Sequence, residues 1–394
     1  MKKIIYYLFL ILPFIDLITS FTERINGNIV SIGTIFKGIL ILFSGIYILF
    51  ITKSKYKKKS IIYYLLLSIF SIIHILIGNN SYVSSVTQLI KFMFLPIIFI
   101  FLLNYNDDYK ISYIEMKKIL KYNVFFILTT ILIAKLTNTG FNSYSDTVTT
   151  GVVGWYYSAN EISGIITILF PLFLEDILKN NKYSFILVMY VIFMMMMLGT
   201  KTPLLGVLIS LITLFIHILL KDKNKKNIFK IVFFISYTVI LFFNSSYLSN
   251  LNSGRYISTT NAVFSSRDIY LNNTTREYIN HNLEEKLFGL GSTNNKVLEK
   301  YVEMDFYDLL YRYGIIGFII FMIPFFKIVL KMMEYALSHL NNYNYDKMIL
   351  ILITMLSLLI AFFAGHILSA PAVSIYFGIT IILYMNIDKE TLWK

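Results

Sequence analysis

Long apolar runs recur along the whole chain, and that recurrence constrains the fold more than any motif does. They lie near Ile4–Thr22, Ile29–Ile51, Ile61–Gly78, Thr87–Leu103, Tyr122–Leu136, Ala159–Leu178, Tyr183–Gly199, Thr202–Leu220, Ile228–Phe243, Phe306–Leu330, Met348–Ala364 and Ser369–Ile387. Wound as helices, such runs cross about 30 Å of hydrocarbon while satisfying their own backbone N–H and C=O groups. A mean hydropathy of +0.69, with 57% hydrophobic and 14% charged residues, would force a water-soluble domain to expose large apolar patches. The pattern predicts an all-α polytopic membrane protein of about twelve transmembrane helices, a single integral membrane domain over residues 1–394.

The net charge of +13 invites a nucleic-acid partner, but its distribution argues against one. Lys53, Lys55, Lys57, Lys58 and Lys59 follow the second run, Lys110, Lys117, Lys118 and Lys121 the fourth, and Lys221, Lys223, Lys225, Lys226 and Lys230 the eighth. Every second loop is basic. This positive-inside pattern predicts cytoplasmic N- and C-termini and places loops 22–28, 79–86, 137–158 and 244–306 outside the plasma membrane. Heavy use of Ile, Lys, Asn, Tyr and Phe resembles the product of an AT-rich bacterial genome.

Other classes lose support in turn. Met1-Lys2-Lys3 before an apolar stretch resembles a secretory signal, yet no small-x-small site follows, so it is read as a retained first span. No cysteine is present, and no two of the five histidines stand at ligand spacing on one helix, so no metal or other cofactor is expected. The basic loops are too short for a cytosolic catalytic domain. Without a phosphate-binding glycine loop for a nucleotide, energy for chemistry must arrive with the substrate.

From about Asn244 to Phe306 a mostly polar segment separates the ninth and tenth runs and carries Arg255, Arg267, Arg276, Glu303 and Asp305. A connection that long in a compact domain is usually functional or disordered. Within it, Ser265-Ser-Arg267-Asp-Ile-Tyr-Leu-Asn-Asn-Thr-Thr-Arg276 reads as the start of a surface helix capped by Ser265 or Ser266. One arginine would engage an anion and the other hold the helix on the membrane face. Arginines on one side and carboxylates on the other suit an external active site; ordinary charges on a folded lid are the plain alternative.

Ionisable and polar groups within or at the edge of the apolar runs are Lys37, Lys91, Asn160, Glu161, Lys201 and His366. Such groups are costly in hydrocarbon and by default face a cavity or a partner. Lys37 and Lys91 fit either snorkelling lysines or ligands for a lipid phosphate. His74 and His217 read as packing histidines. In Gly151-Val-Val-Gly-Trp-Tyr-Tyr-Ser-Ala-Asn-Glu-Ile-Ser-Gly164, Ser158 and Glu161 have capping-box spacing, so Glu161 serves either a helix start or binding and proton transfer. In Gly199-Thr-Lys201-Thr-Pro203, Lys201 either sits among headgroups or holds a phosphate beside two threonines.

Taken together, the Trp-Tyr-Tyr-Ser-Ala-Asn-Glu element, Gly-Thr-Lys-Thr-Pro-Leu-Leu-Gly, the Arg267 segment running into Leu287-Phe-Gly-Leu-Gly, and Asp305-Phe-Tyr-Asp-Leu-Leu-Tyr-Arg-Tyr-Gly-Ile-Ile-Gly317 resemble the O-antigen ligase and polymerase family of the WaaL and Wzy type. The hydropathy resemblance covers nearly the whole chain, and the motifs cover residues 151–320. It implies a GT-C-like, metal-independent membrane glycosyltransferase acting on undecaprenyl-pyrophosphate-linked glycans at the outer face of the plasma membrane. The family's basic residue before the eighth span falls on Lys201, and its loop arginine on Arg267. Ligases of the family commonly carry a His-Asn pair just ahead of the tenth span, where this chain has Glu303-Met-Asp305, which points to the polymerase branch. His366, in Ala364-Gly-His-Ile-Leu-Ser-Ala-Pro371, can reach the same cavity from the opposite helix pair.

The expected catalytic group is therefore Arg267, Arg276, Glu303, Asp305 and His366, with Lys201, Arg255, Asn160, Glu161 and Lys91 binding substrate. Arginine suits a departing pyrophosphate because its planar fork stays charged and bonds phosphate in pairs. Glu303, Asp305 or His366 would be the general base. The expected activity is polymerisation of lipid-linked repeat units into a capsule or O-antigen-like polymer, with lipid-linked donor and acceptor, membrane lipid, and a chain-length regulator and flippase as partners. A flippase or transporter for lipid-linked oligosaccharide, and ligase-type transfer of finished polymer to another acceptor, are the alternatives.

Overall fold

The computed structural model describes residues 3–26, 31–77, 82–144, 150–220, 225–243, 264–289, 302–338 and 344–391. Its helices are α1 (Ile4–Asn26), α2 (Ile32–Ile46, continued by a π turn over Tyr47–Ile51), α3 (Lys57–Ile77), α4 (Tyr82–Tyr109), α5 (Tyr113–Leu136), α6 (Ala159–Leu169), α7 (Pro171–Leu178), α8 (Ser184–Met197), α9 (Lys201–Leu220), α10 (Lys225–Phe243), α11 (Arg267–Asn280), α12 (Leu283–Phe288), α13 (Asp305–Ser338), α14 (Tyr345–Phe363) and α15 (Pro371–Thr391). The fold is an all-α polytopic membrane architecture.

Among the described residues, nine helices are each long and apolar enough to cross a membrane: α1, α2 with its π turn, α3, α4, α5, α9, α10, α13 and α14. The expectation of about twelve counted three further runs, which are shorter or divided apolar stretches among the described residues. Ser184–Met197 and the apolar part of α15, Pro371–Ile387, are shorter. Ala159–Leu178 divides at Pro171 into α6 and α7, because proline brings no N–H to the helical ladder. Pro13 and Pro96 instead lie inside continuous helices, and Pro324 lies inside the part of α13 beyond Gly314.

Burial sorts the bundle into a centre and a rim. The apolar windows of α4 and α14 are each 67% buried, against 22% for α10, and most described residues of α6 and α15 are buried as well. The rim helices turn large apolar side chains outward, including Tyr7, Leu42, Phe50, Leu76, Phe229 and Phe243, as a surface in contact with lipid requires.

A two-stranded antiparallel hairpin, absent from the sequence expectation, joins α5 to α6: β1 (Phe141–Tyr144) pairs with β2 (Thr150–Gly154). A Cβ on Gly151, whose φ is +72°, would lie 2.2 Å from the Leu198 carbonyl oxygen, so glycine lets the hairpin close against the end of α8.

Polar links identify two ends of the bundle. At the lysine-rich end, buried Glu175 of α7 takes Tyr113 Oη at 2.7 Å and Lys179 Nζ at 2.8 Å together with Lys117, while Lys121 pairs with Asp176 and Lys179 with Asp346. At the opposite end, Arg24 Nη2 donates to the Tyr156 carbonyl at 2.7 Å, the Tyr157 N–H donates to Ser20 Oγ at 3.0 Å, and Lys201 Nζ donates to Ser265 Oγ at 3.0 Å.

Candidate functional site

The first turn of α13 organises this second end. Asp305, 1% exposed, accepts the N–H groups of His366, Ile367 and Leu368 at 3.1, 2.8 and 2.7 Å and the hydroxyl of Ser369. One turn on, Asp308 accepts the N–H groups of Val302 at 2.8 Å and Met304 at 3.2 Å. The two carboxylates thus fasten two separate backbone segments, 302–304 and 366–369, to one helix start.

Between those segments Glu303 and His366 face each other. Glu303 Oε2 lies 2.8 Å from Arg267 Nη2 and 3.7 Å from His366 Nε2. Both Glu303 (φ 63°) and His366 (φ 62°) hold left-handed backbone, which non-glycine residues adopt at a cost and which clusters at functional sites. Gly365 permits the approach, since a Cβ there would stand 2.5 Å from the Glu303 carbonyl oxygen. Asn160, in the first turn of α6, brings its Nδ2 to 3.4 Å from His366 Nε2.

The electrostatics follow from these contacts. The neighbouring His366 imidazolium, with the charge of Arg267, brings the Glu303 carboxyl down to about 2 against the opposing effect of its burial. For His366, burial disfavours the imidazolium, but the neighbouring Glu303 carboxylate, helped by Asp305 and Glu161, outweighs it and raises the pKa above the ordinary histidine value. Buried Nε of Arg267 has no hydrogen-bond partner among the described residues, so the guanidinium keeps an uncommitted donor beside the pair.

A cavity of about 170 Å³ opens here, lined by Lys91, Glu161, Glu303, Asp305, Arg312 and His366 among others. Lys91, Glu161 and Pro371 also line a second cavity of about 550 Å³ between α1, α2, α4, α6 and α15. Ser158 caps α6, accepting the Glu161 N–H at 3.3 Å. Among the described residues the Glu161 carboxylate makes no return hydrogen bond, so only half of the expected capping box forms and the side chain stays with the cavities.

The structure thus gathers Arg267, Glu303, Asp305, His366, Asn160, Glu161 and Lys91. Lys201 stands one step away, holding Ser265 two residues before Arg267. Arg276 does not join the group: it is exposed, and nine residues along α11 carry it about 13 Å from Arg267. Arg255 lies outside the described residues. Neither serine caps α11 as expected, because Ser266 has left-handed backbone without a side-chain cap and Ser265 is engaged by Lys201. Asp305 is not placed as a free base, since its two oxygens are taken up by the 366–369 segment.

Two contributors were missed from sequence. Arg312, 6% exposed, lines the smaller cavity from within the tenth apolar run, where an arginine is itself a signal. Asp16 lies inside the first run and lines the larger cavity. Among the described residues, no group of three or more His, Asp or Glu side chains is arranged to hold a metal ion.

The loop helices are docked onto this frame. His74 Nδ1 lies 3.0 Å from the Phe288 carbonyl oxygen, and α13 bends at Gly314, where φ is 66° and ψ is −178°. A Cβ on Gly314 would stand 2.4 Å from the Leu287 carbonyl oxygen, and one on Gly289 would stand 2.1 Å from that of Arg312. Paired glycines therefore let the end of α12 lie against the kink.

Compared with known families, the chain matches the family model described as "O-antigen ligase like membrane protein" over residues 1–251 and 255–390. No curated protein and no solved structure matches the chain.

Proposed function

The chain belongs to the O-antigen ligase-like family of membrane proteins, and from that premise we propose that it is a polysaccharide polymerase of the cell surface. The family places it in surface polysaccharide assembly as a glycosyltransferase-like membrane enzyme whose substrates are lipid-linked glycans. On our reading the growing glycan, carried on undecaprenyl pyrophosphate, is moved onto the non-reducing end of an incoming lipid-linked repeat unit at the outer face of the plasma membrane. Lysine-rich loops at the end opposite the site support that orientation, with both termini cytoplasmic and 244–306 as an extracellular loop.

The observation that carries the reading is the convergence of Arg267, Glu303 and His366 beside a cavity that also takes Lys91 and Arg312. In the proposed reaction an acceptor hydroxyl oxygen bonds to the anomeric carbon while the bond from that carbon to the pyrophosphate oxygen breaks. Negative charge grows on the departing pyrophosphate. Arg267, Lys91 and Arg312 stabilise it, and preorganised cations in a partly dry cavity act most strongly on charge that appears in the transition state. The hydroxyl proton goes to neutral His366. A base works best with a pKa near the operating pH, which favours His366 over a Glu303 carboxylate held near 2. Glu303 then steadies the imidazolium, and Asp305 and Asp308 position the two segments.

One observation favours a second reading, the ligase branch: His366 and Asn160, 206 positions apart in sequence, come within 3.4 Å of each other and supply in space a His-Asn pair. Transfer would then end on a non-polymer acceptor. Incubating the purified enzyme in liposomes with lipid-linked repeat units, then sizing the glycan and analysing its acceptor end, separates the two. A ladder of repeats on the lipid carrier is expected. Transfer of glycan to a non-polymer acceptor added to the liposomes would favour the ligase, and unaltered length with movement between leaflets would favour a flippase.

A further inference from the structure

The larger cavity holds more chemistry than a donor pyrophosphate needs. Its walls bring Asp16 and Glu23 from α1, Lys37 from α2, Lys91 from α4 and Glu161 from α6 into one volume of about 550 Å³, within the range of ligand pockets. Four of these five residues lie inside helices, and the fifth is in the first turn of α6, yet among the described residues none of the five side chains makes a hydrogen bond or an ion pair. The hydroxyl groups around them are committed elsewhere. Thr19 donates to the Ile15 carbonyl, Ser20 to that of Asp16, Ser31 pairs with Thr34, and Ser158 caps α6. The charged groups, with Tyr157 at the rim, are left for a ligand, and such groups within a membrane bundle mark substrate paths.

Their balance selects the ligand. The two ammonium groups share the volume with acidic side chains, which leaves no excess of positive charge for a second phosphate. Carboxylates that accept from vicinal hydroxyls, ammonium groups that donate to ring and hydroxyl oxygens, and a Tyr157 ring left 57% exposed at the rim suit the two faces and the edge of an uncharged sugar. Lys91 and Glu161, shared with the Glu303–His366 cavity, mark where a hydroxyl from one volume meets the anomeric carbon in the other.

We propose that the cavity between α1, α2, α4, α6 and α15 binds the acceptor saccharide, an uncharged, hydroxyl-rich segment at the non-reducing end of the incoming glycan. This rests on the glycosyl-transfer reading for the acceptor's role, but binding itself can be measured without transfer. The probe is the repeat-unit oligosaccharide freed from its lipid pyrophosphate by mild acid, titrated against the full-length protein in nanodiscs by saturation-transfer NMR. Wild type is expected to bind it, with Asp16→Asn and Lys37→Gln each weakening binding about tenfold or more, as for loss of one hydrogen bond to a charged group. Tyr157→Ala, at an exposed ring that the Arg24 guanidinium approaches to 5.6 Å, should weaken it as well. In liposomes the same variants should raise KM for acceptor and leave KM for donor unchanged. No saccharide binding by wild type, equal binding by all variants, or a rise in donor KM alone would overturn the assignment. Saccharide binding by a protein that forms no glycosidic bond would instead sink the polymerase reading and leave the pocket standing.

Discussion

Glu303 Oε2 lies 2.8 Å from Arg267 Nη2 and 3.7 Å from His366 Nε2, so one carboxylate joins a loop helix to the turn between α14 and α15. This contact makes 264–289 and the helix ends a single site. Its removal should have consequences that ordinary surface charges would not.

Replacement of Arg267 by alanine should lower the rate of glycan transfer about a hundredfold or more, the usual scale for loss of one preorganised charge-stabilising donor. Arg267→Lys should recover only part of it, because the planar fork is lost. Arg276→Ala should transfer glycan at close to the wild-type rate, since that side chain is exposed and remote from Glu303. Chain-length distributions on gels check all three variants.

The pH dependence follows from the direction of the His366 shift. If neutral His366 is the base, activity falls as pH drops through a pKa raised above the ordinary histidine value of about 6.5. Glu303→Gln removes the partner that raises it while burial still disfavours the imidazolium, so the acid limb should move to lower pH and the maximal rate should drop. An unmoved limb in the pH profile of initial rates would assign the titration to another group.

Asp305 is expected to act as a positioning residue. Asp305→Ala strips acceptors from three N–H groups and a hydroxyl, at about 1–3 kcal/mol for each donor left buried and unsatisfied. Thermal unfolding in detergent should shift down sharply. Asp305→Asn, which keeps an oxygen acceptor, should retain part of the activity, with the acid limb moved to lower pH because one of the charges that raise His366 is gone; a general base would not survive that exchange.

Gly365→Ala tests the approach of the two segments. Left-handed backbone alone costs an alanine about 1–2 kcal/mol, and its Cβ would press on the Glu303 carbonyl at 2.5 Å. The expected result is a protein that still inserts in the membrane but transfers glycan slowly, read by kcat against KM.

Much of the fold was legible because hydrocarbon leaves few options for a backbone. The division of the sixth run into α6 and α7 had a local signal in Pro171. Site residues were legible where chemistry is local, as with Ser158 capping α6 and with Arg267 and Glu303 in the polar loop. Asp305 and Glu303 could not be told apart in sequence, since what distinguishes them is supplied by N–H groups sixty positions away. Arg276 shared the loop and the charge of Arg267, and only the run of α11 separates them. Arg312 and Asp16 sat inside apolar runs and could have been picked out on that ground.

The most direct measurement counts products. In liposomes loaded with lipid-linked repeat units, the polyprenyl pyrophosphate released is compared with the glycosidic bonds formed, for wild type and Arg267→Ala. The account expects one carrier pyrophosphate released per new bond in wild type and a parallel loss of both in the variant. Glycan reaching the outer leaflet with no carrier released, or bond formation undiminished without Arg267, would contradict it.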